Sequence, residues 1–336
     1  MIRRGRRLVV IAWLVVLALG IAAPFYFSDY DLFDMTRLLT IAIAVAGLNL
    51  LMGHSGQVSV GHGAIFGVGG YTALIAVGTL GWPWWLGLGL AMVVCLVLGV
   101  GLGFAALKMG GANLGLLTIA VAAIFPLVLI RAKPLTGGNT GIYASSPLRA
   151  PEWIGLTTAQ LEFLIVLASL VVVLLGLRNL TTGRYGRALA AIRTSPLLAV
   201  SAGIPVNRLK LTTFSISSVV AGIGGAYFAY ILALAVPDSY LVTFSIALLS
   251  ASVVGGVRSW AGALIGAAII VYLPTLAESV VGGQAAGNWS QLVYALGLAL
   301  CLIFAPNGLA GAVTAIGRRL SRRRAARPET TTPTQE

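Results

Sequence analysis

The run GHSGQVSVGHG, from Gly53 to Gly63, gathers the polar side chains that could bind a solute. Their hydrogen-bond donors and acceptors belong to His54, Ser55, Gln57, Ser59 and His62. Glycines between them let the backbone leave regular helix. Such a set can hold a small polar molecule by hydrogen bonds. The alternative is an ordinary turn whose glycines merely allow tight packing, and the spacing alone favours neither.

Catalytic motifs are missing from the sequence. It has no HExxH pattern, no paired carboxylates and no cluster of Cys and His. The dipeptide Gly-Lys, which the phosphate loop GxxxxGK[ST] requires, never occurs. Two histidines eight residues apart, His54 and His62, are weak evidence for a metal. We therefore expect no catalytic or metal site, and any active process must draw its energy from another subunit.

The composition is that of a membrane protein. Of 336 residues, 58% are hydrophobic and 9% charged, and the mean hydropathy is +0.97. Soluble domains carry about 25% charged residues, so this chain cannot cover a water-facing surface. Its long apolar runs predict an all-α, polytopic bundle of transmembrane helices. Cys95 and Cys301 lie within such runs and indicate neither a disulfide nor a metal site.

About ten runs are long enough to span a bilayer, which needs about 20 apolar residues per helix. They lie near 8–27, 36–53, 63–80, 83–107, 114–131, 159–178, 210–234, 239–256, 260–281 and 288–305. We expect the first run to be an uncleaved span rather than a signal peptide, because Pro24 follows the plausible cleavage site. No carboxylate or lysine lies in the middle third of any run, which argues against a proton-driven carrier.

The charges predict the orientation. With the amino terminus inside, only Arg37, Arg131, Lys133 and Arg149 fall outside, so 18 of the 22 Lys and Arg (22 minus 4) lie inside. This bias is typical of cytoplasmic loops and explains the net charge of +13 without nucleic acid. We expect both termini inside, a transmembrane domain over 1–317, and a basic, disordered cytoplasmic tail over 318–336.

The inner loop at about 179–209 predicts a short amphipathic helix. Its expected apolar face holds Ala188, Leu189, Ile192 and the group Leu197–Ala199, and its arginines are expected to point elsewhere, free to meet acidic groups: Arg184, Arg187 and Arg193. Pro196 should start a second helical turn, which Gly203 ends. Such a helix can dock into a groove on a cytosolic protein or lie on anionic lipid. The residues alone leave both open.

Glycines repeat at helical spacing elsewhere in the chain. Gly63, Gly67 and Gly70 share roughly one helix face, and Gly262 with Gly266 repeats the four-residue spacing. Small residues at this spacing let helices approach closely in lipid. We therefore expect packing seams at these positions.

Four long segments, in order along nearly the whole chain, resemble the LivM-type permeases of bacterial ABC importers for branched-chain amino acids. They are GLNLLMGHSGQVSVGHGAIFGVGGYTA, GRALAAIRTSPLLAVSAGIPVNRLKLTTFSISSVVAGIGGAYFA, VVGGVRSWAGALIGA and IFAPNGLAG. LLAVSAG stands at the place of the coupling motif of ABC importers, E-A-A, three residues, then G. Ala199 and Gly203 match this motif, whereas Leu197 replaces its acid.

The resemblance implies an ABC-importer permease fold in the bacterial inner membrane. The implied partners are a second related permease, two cytosolic ATPases that carry ATP and Mg²⁺, a periplasmic or extracytoplasmic substrate-binding protein, and membrane lipid; this chain itself is expected to bind no cofactor. The loop would couple to an ATPase through Arg187, Ala188, Ala191, Arg193, Ala199 and Gly203. The polar run would line the substrate path through Ser55, Gln57, Ser59 and His62.

Two other functions stay open. One is a urea or short-chain amide permease of the same superfamily, which shares these segments. The other is a self-sufficient carrier or channel, against which the projecting inner loop and the missing intramembrane acids argue.

Overall fold

The computed structural model describes residues 20–109, 111–145, 147–151 and 155–281. The predicted tenth span, 288–305, and the predicted tail, 318–336, lie outside these residues. Most of the predicted first span, 8–27, does so too.

The described residues are almost entirely helical. The α-helices are α1 Asp29–Asn49, α2 His62–Leu74, α3 Trp84–Met109, α4 Gly111–Arg131, α5 Lys133–Thr136, α6 Thr158–Thr182, α7 Arg184–Thr194, α8 Pro196–Ser201, α9 Val206–Leu232, α10 Val242–Gly255 and α11 Trp260–Val281. A π-helical turn, Leu50–His54, extends α1, and another, Ile75–Thr79, extends α2. Two short strands, β1 Ile142–Tyr143 and β2 Leu234–Ala235, pair antiparallel. Apart from this pair, the predicted all-α class is confirmed.

Several helical segments are long and apolar enough to cross a membrane. Among the described residues there are six: Asp29–His54, Trp84–Ala105, Leu114–Arg131, Thr158–Thr182, Val206–Leu232 and Pro237–Gly255. Each overlaps a predicted span. α2 and α11 occupy two further predicted positions, and Trp260–Leu276 of α11 is a further apolar segment. The chain is thus a multi-pass helical membrane protein, and the count of ten spans stays a prediction.

The bundle has an interior pair of helices and a periphery. In α1 and α9, 78% and 72% of the most apolar 18-residue stretch is buried, against 22% in α3. The mean hydropathy of the same stretch is 2.5 in the peripheral α3 and α6, but 1.8 in α1 and 1.5 in α9. Peripheral helices must present apolar side chains to lipid, while interior helices can pair polar groups with one another. The polar side chains of a site are therefore to be sought around α1 and α9.

Glycines bring the interior backbones together. A Cβ atom on Gly225 of α9 would overlap the carbonyl group of Phe66 in α2. A Cβ on Gly224 would lie 2.6 Å from the carbonyl oxygen of Thr40 in α1. The predicted seam at Gly262 and Gly266 is confirmed, because both glycines face the backbone of α10. These close approaches hold the break between α1 and α2 in a fixed place.

The helices end at two opposite faces of the bundle. α6 has 25 residues, so it is about 37 Å long. It begins where the Thr157 hydroxyl donates to Asp29 Oδ1 at 3.1 Å, beside the start of α1. It ends next to α7. We call the face with Leu50–His54, α7 and α8 the loop end, and the face with Asp29 and the β1–β2 pair the β end.

Candidate functional site

The helical backbone breaks between α1 and α2, as the glycines predict. The π turn Leu50–His54 follows α1, and regular helix resumes only at His62. Gly56 has φ +72°, a conformation that residues with a Cβ rarely adopt. We call residues 50–61 the polar break. Non-helical backbone in a membrane protein is tolerated where it is buried in protein or lines a wet cavity, and most residues of this break are buried or half-buried.

His62 joins the break to α9. Its Nε2 atom lies 2.7 Å from Ser217 Oγ, and its Nδ1 atom lies 2.9 Å from Ser59 Oγ. The Ser217 hydroxyl donates its single proton to the carbonyl of Gly47, at 2.6 Å. Ser217 must therefore accept from His62, so a neutral His62 carries its proton on Nε2 and accepts from Ser59. The histidine is 1% exposed and both its ring nitrogens are used.

Gln57 forms a second link to α9. Its Nε2 atom donates to Ser55 Oγ at 3.0 Å and to the carbonyl of Lys210 at 3.2 Å. The Ser55 hydroxyl in turn donates to the carbonyl of Leu51, at 2.6 Å. Gln57 and Ser55 are both buried.

The structure thus brings the four predicted path residues into two bonded pairs, Ser55 with Gln57 and Ser59 with His62. Both pairs fasten the break to α9. Their partners there, Ser217 and Lys210, lie more than 150 residues away along the chain, so no local pattern could reveal them. Contact of the four side chains with a substrate stays a prediction.

Asn49 ties the break to α10 and α11, and the sequence reasoning missed it. Ser252 Oγ donates to Asn49 Oδ1 at 2.6 Å, and Asn49 Nδ2 donates to the carbonyl of Ser259 at 3.1 Å. The His54 ring stacks on Trp260, with 5.2 Å between ring centroids. The sequence did contain a signal for Asn49, because it is the one polar side chain in the apolar run AVAGLNLL. Polar side chains within transmembrane segments are rare and usually have a structural or functional role.

The inner loop folds into two short helices with a small core. This core holds Leu189, Ile192, Ala199 and Val206, so the predicted apolar face of α7 packs inward. Ala188 and Ala191 are half-buried beside it. Ser195 caps α8 and Pro196 begins it. Gly203, with φ +74°, follows the end of α8, as predicted.

The prediction that Leu197 and Leu198 belong to the same apolar face is wrong. Leu197 is 82% exposed and Leu198 70% exposed, and Val200 is 60% exposed. The reason is the break at Ser195, whose extended backbone starts α8 in a new direction. Only Ala199 then turns inward.

Arg193 is exposed, as predicted, but one of its N–H groups is bonded within the protein. Its Nη1 atom donates to the carbonyl of Gly53 at 2.5 Å, and its aliphatic part lies against Gly56. Carbonyl groups at a helix end lack partners within the helix, and a guanidinium supplies a strong donor. Arg184 and Arg187 are exposed, as expected. α7 is therefore bonded directly to the polar break.

Comparison with known proteins gives several similar chains. High-affinity branched-chain amino acid transport system permease protein LivM of Salmonella typhimurium is 27% identical over 321 residues, covering 88% of this chain and 73% of that protein. LivM of Escherichia coli is 27% identical over 319 residues, with the same coverage. A solved structure, PsaBC from Streptococcus pneumoniae in complex with Fab, aligns with 85% of this chain and 95% of that chain, at 14% identity and a TM-score of 0.45.

The sequence profile of the family described as "Branched-chain amino acid transport system / permease component" matches residues 32–304. This match includes the polar break, α7, α8 and all or nearly all of each described transmembrane helix. The chain belongs to this family of transport permeases.

Proposed function

We propose that the chain is the membrane permease subunit of an ATP-binding-cassette importer. It moves branched-chain amino acids across the bacterial inner membrane by alternating access, driven by separate ATPase subunits. The names of the LivM relatives support the substrate class.

The hydrogen bond from Arg193 to Gly53 is the observation that carries this proposal. It connects a surface loop to the break between α1 and α2 without any residue in between. A displacement of α7 is therefore transmitted directly to the break. A permease that is driven by a subunit outside the membrane requires such a contact between its surface loop and its membrane helices.

The outer surface of α8 fits an ATPase groove. Leu197, Leu198 and Val200 project from the loop end, and Arg187 is exposed on α7 beside them. Apolar side chains on a short helix are typical of helix-in-groove docking. In the coupling loop 179–209, Arg187 contacts the ATPase and Arg193 bonds to the polar break. The interior of the loop is packed by Ala188, Ala191 and Ala199, and α8 is followed by Gly203.

The loop end faces the cytosol in this proposal, with ten spans and both termini on that side. The bias of 18 of 22 Lys and Arg toward the inner segments supports it. Arg193, Lys210 and Arg258 all lie at the loop end, next to Gly53 or Gln57. Asp29 lies at the opposite end of α1.

Ser55, Gln57, Ser59 and His62 line the cytosolic half of the route. Their present bonds to α9 must be exchanged for bonds to the solute as the bundle moves. A typical intramolecular hydrogen bond contributes only about 0.5–1.5 kcal/mol net to stability, so replacing it with a bond to the solute changes the free energy little. The four side chains can therefore alternate between closing and lining the route.

The complete importer contains a second related permease, two ABC ATPases that bind ATP and Mg²⁺, and an extracytoplasmic substrate-binding protein. The proposal is tested by reconstituting this assembly and measuring uptake of labelled leucine, isoleucine, valine and urea. We expect the three amino acids to accumulate and to compete with one another, and Gln57→Ala to lower their uptake while assembly is unchanged. Accumulation of urea instead would contradict the substrate class, and full uptake by the Gln57 variant would remove Gln57 from the route.

A further inference from the structure

Three buried hydroxyl groups in one part of the bundle have no hydrogen-bond partner among the described residues. They belong to Tyr71, Tyr240 and Ser245, which are 3%, 0% and 1% exposed. In the described part of the chain, only one other buried side-chain atom, Arg37 Nε, shares this condition. The polar break, by contrast, uses its buried hydroxyls and imidazole in hydrogen bonds.

Two of the hydroxyls, those of Tyr71 and Tyr240, lie within one aromatic cluster between α2, α4 and the segment before α10, and the third, that of Ser245, lies against Gly63 at the start of α2. The rings of Tyr71 and Tyr240 are 5.8 Å apart, and Phe125 of α4 lies 6.3 Å from Tyr240 and 6.5 Å from Tyr71. Phe66 lies 6.3 Å from Tyr240 and 5.3 Å from Phe244. We call these residues, with Ser245, the tyrosine cluster.

The tyrosine cluster packs against the glycine face of α2. A Cβ on Gly70 would lie 2.9 Å from the Tyr240 hydroxyl, and one on Gly67 would lie 2.9 Å from the Tyr240 ring. A Cβ on Gly63 would overlap the Ser245 hydroxyl. The hydroxyls therefore rest on bare backbone, along a helix that leads from His62 at the polar break toward the β end.

Side-chain packing does not explain why positions 71 and 240 carry tyrosine, with a hydroxyl group, rather than phenylalanine. Phenylalanine at positions 71 and 240 would keep the ring contacts and bury no unbonded oxygen. An unbonded buried hydroxyl destabilises a folded protein, and such groups in native structures call for a specific explanation. A ligand that bonds them during part of the working cycle supplies one.

The chemistry of the cluster selects the ligand. The two phenol groups can donate to a carboxylate, and the Ser245 hydroxyl, about two helical turns away along α2, can accept from an ammonium group. Aromatic faces attract an ammonium group and bury an aliphatic side chain. The members of the cluster carry no formal charge, and the neighbouring Asp238 is exposed. A zwitterion with an apolar side chain satisfies all these groups without leaving a net charge buried.

We propose that Tyr71, Tyr240 and Ser245 form the binding place for an apolar zwitterionic amino acid within the membrane, reached when α2 and α10 separate. This inference rests on the proposed function and adds the residues that hold the substrate. The polar break then forms the cytosolic section of the route, and the tyrosine cluster forms the binding place closer to the β end.

The test compares Tyr240→Phe with Tyr230→Phe in the complete reconstituted importer. Tyr230 is equally buried, at 0% exposed, but its hydroxyl donates to the carbonyl of Trp84 at 2.9 Å. We expect Tyr240→Phe to lower leucine uptake at least tenfold while its melting temperature stays the same or rises. Tyr230→Phe should show the reverse, a lower melting temperature with uptake per assembled importer retained.

Tyr71→Phe provides a second, independent variant with the same expectation. Wild-type uptake by both phenylalanine variants, or a lower melting temperature in both, would overturn the inference, because the hydroxyls would then be dispensable or structural. If the wild-type importer itself moves urea and no amino acid, the proposed substrate class fails. If it moves amino acids and the variants do too, only this inference fails.

Discussion

Arg193→Ala should leave the importer assembled and hydrolysing ATP but stop most of its uptake. Among the described residues, the alanine removes the one side-chain hydrogen bond from α7 to the carbonyl of Gly53. A hydrogen bond to a charged group contributes about 1.5–3 kcal/mol, so a coupling free energy of that size predicts a fall of roughly 10- to 100-fold. Uptake and ATP hydrolysis are to be measured on the same reconstituted sample.

Two further arginine variants make this result specific. Arg184→Ala removes an exposed arginine from the same helix and should transport normally. Arg193→Lys retains a cationic donor and should recover part of the uptake. Equal loss in the Arg184 variant, or full uptake by Arg193→Ala, would show that the bond to Gly53 does not transmit movement.

Leu198→Asp should detach the ATPase subunits. Leu198 is 70% exposed, so the substitution leaves the fold intact. In an apolar groove, however, the variant loses the leucine contact, about 1.5–3 kcal/mol, and buries a charge. We expect at least a tenfold loss of ATPase copurified with the permease. Position 198 is preferred to Leu197, because the general coupling motif has an acid at the place of Leu197.

The matched control is Leu135→Asp, which makes the same change at a 60% exposed leucine in α5 at the β end. It should copurify the ATPases at the wild-type level. If Leu198→Asp also retains them, α8 does not dock on an ATPase. That result would favour the other interpretation of the inner loop, an interfacial helix on anionic lipid.

The helices could largely be predicted from the sequence because lipid imposes a simple rule on length and composition. The run predicted at 159–178 is α6, Thr158–Thr182, and that predicted at 210–234 is α9, Val206–Leu232. α2 is shorter, with 13 residues, and its glycines occupy the face that packs on neighbouring backbones. A rule based on length and composition does not detect this close packing.

The site could be predicted only in its local part. Glycine spacing correctly indicated the break before His62, since backbone freedom is a local property. The bonds from the break to Ser217, Lys210 and Arg193 join residues far apart in the chain, and only the folded bundle brings them together. The direction of α8 was missed for a different reason, because it depends on the extended backbone at Ser195, which the pattern of apolar residues does not reveal.

We propose that this permease is driven from the cytosol, through α7 and α8, by separate ATPases. The most direct test is accumulation of labelled leucine in vesicles that hold the two permease subunits and receive the binding protein, with and without the ATPase subunits and ATP on the side of the loop end. We predict accumulation above the external concentration only when both ATPase and ATP are present. Accumulation against the gradient without them would contradict the account.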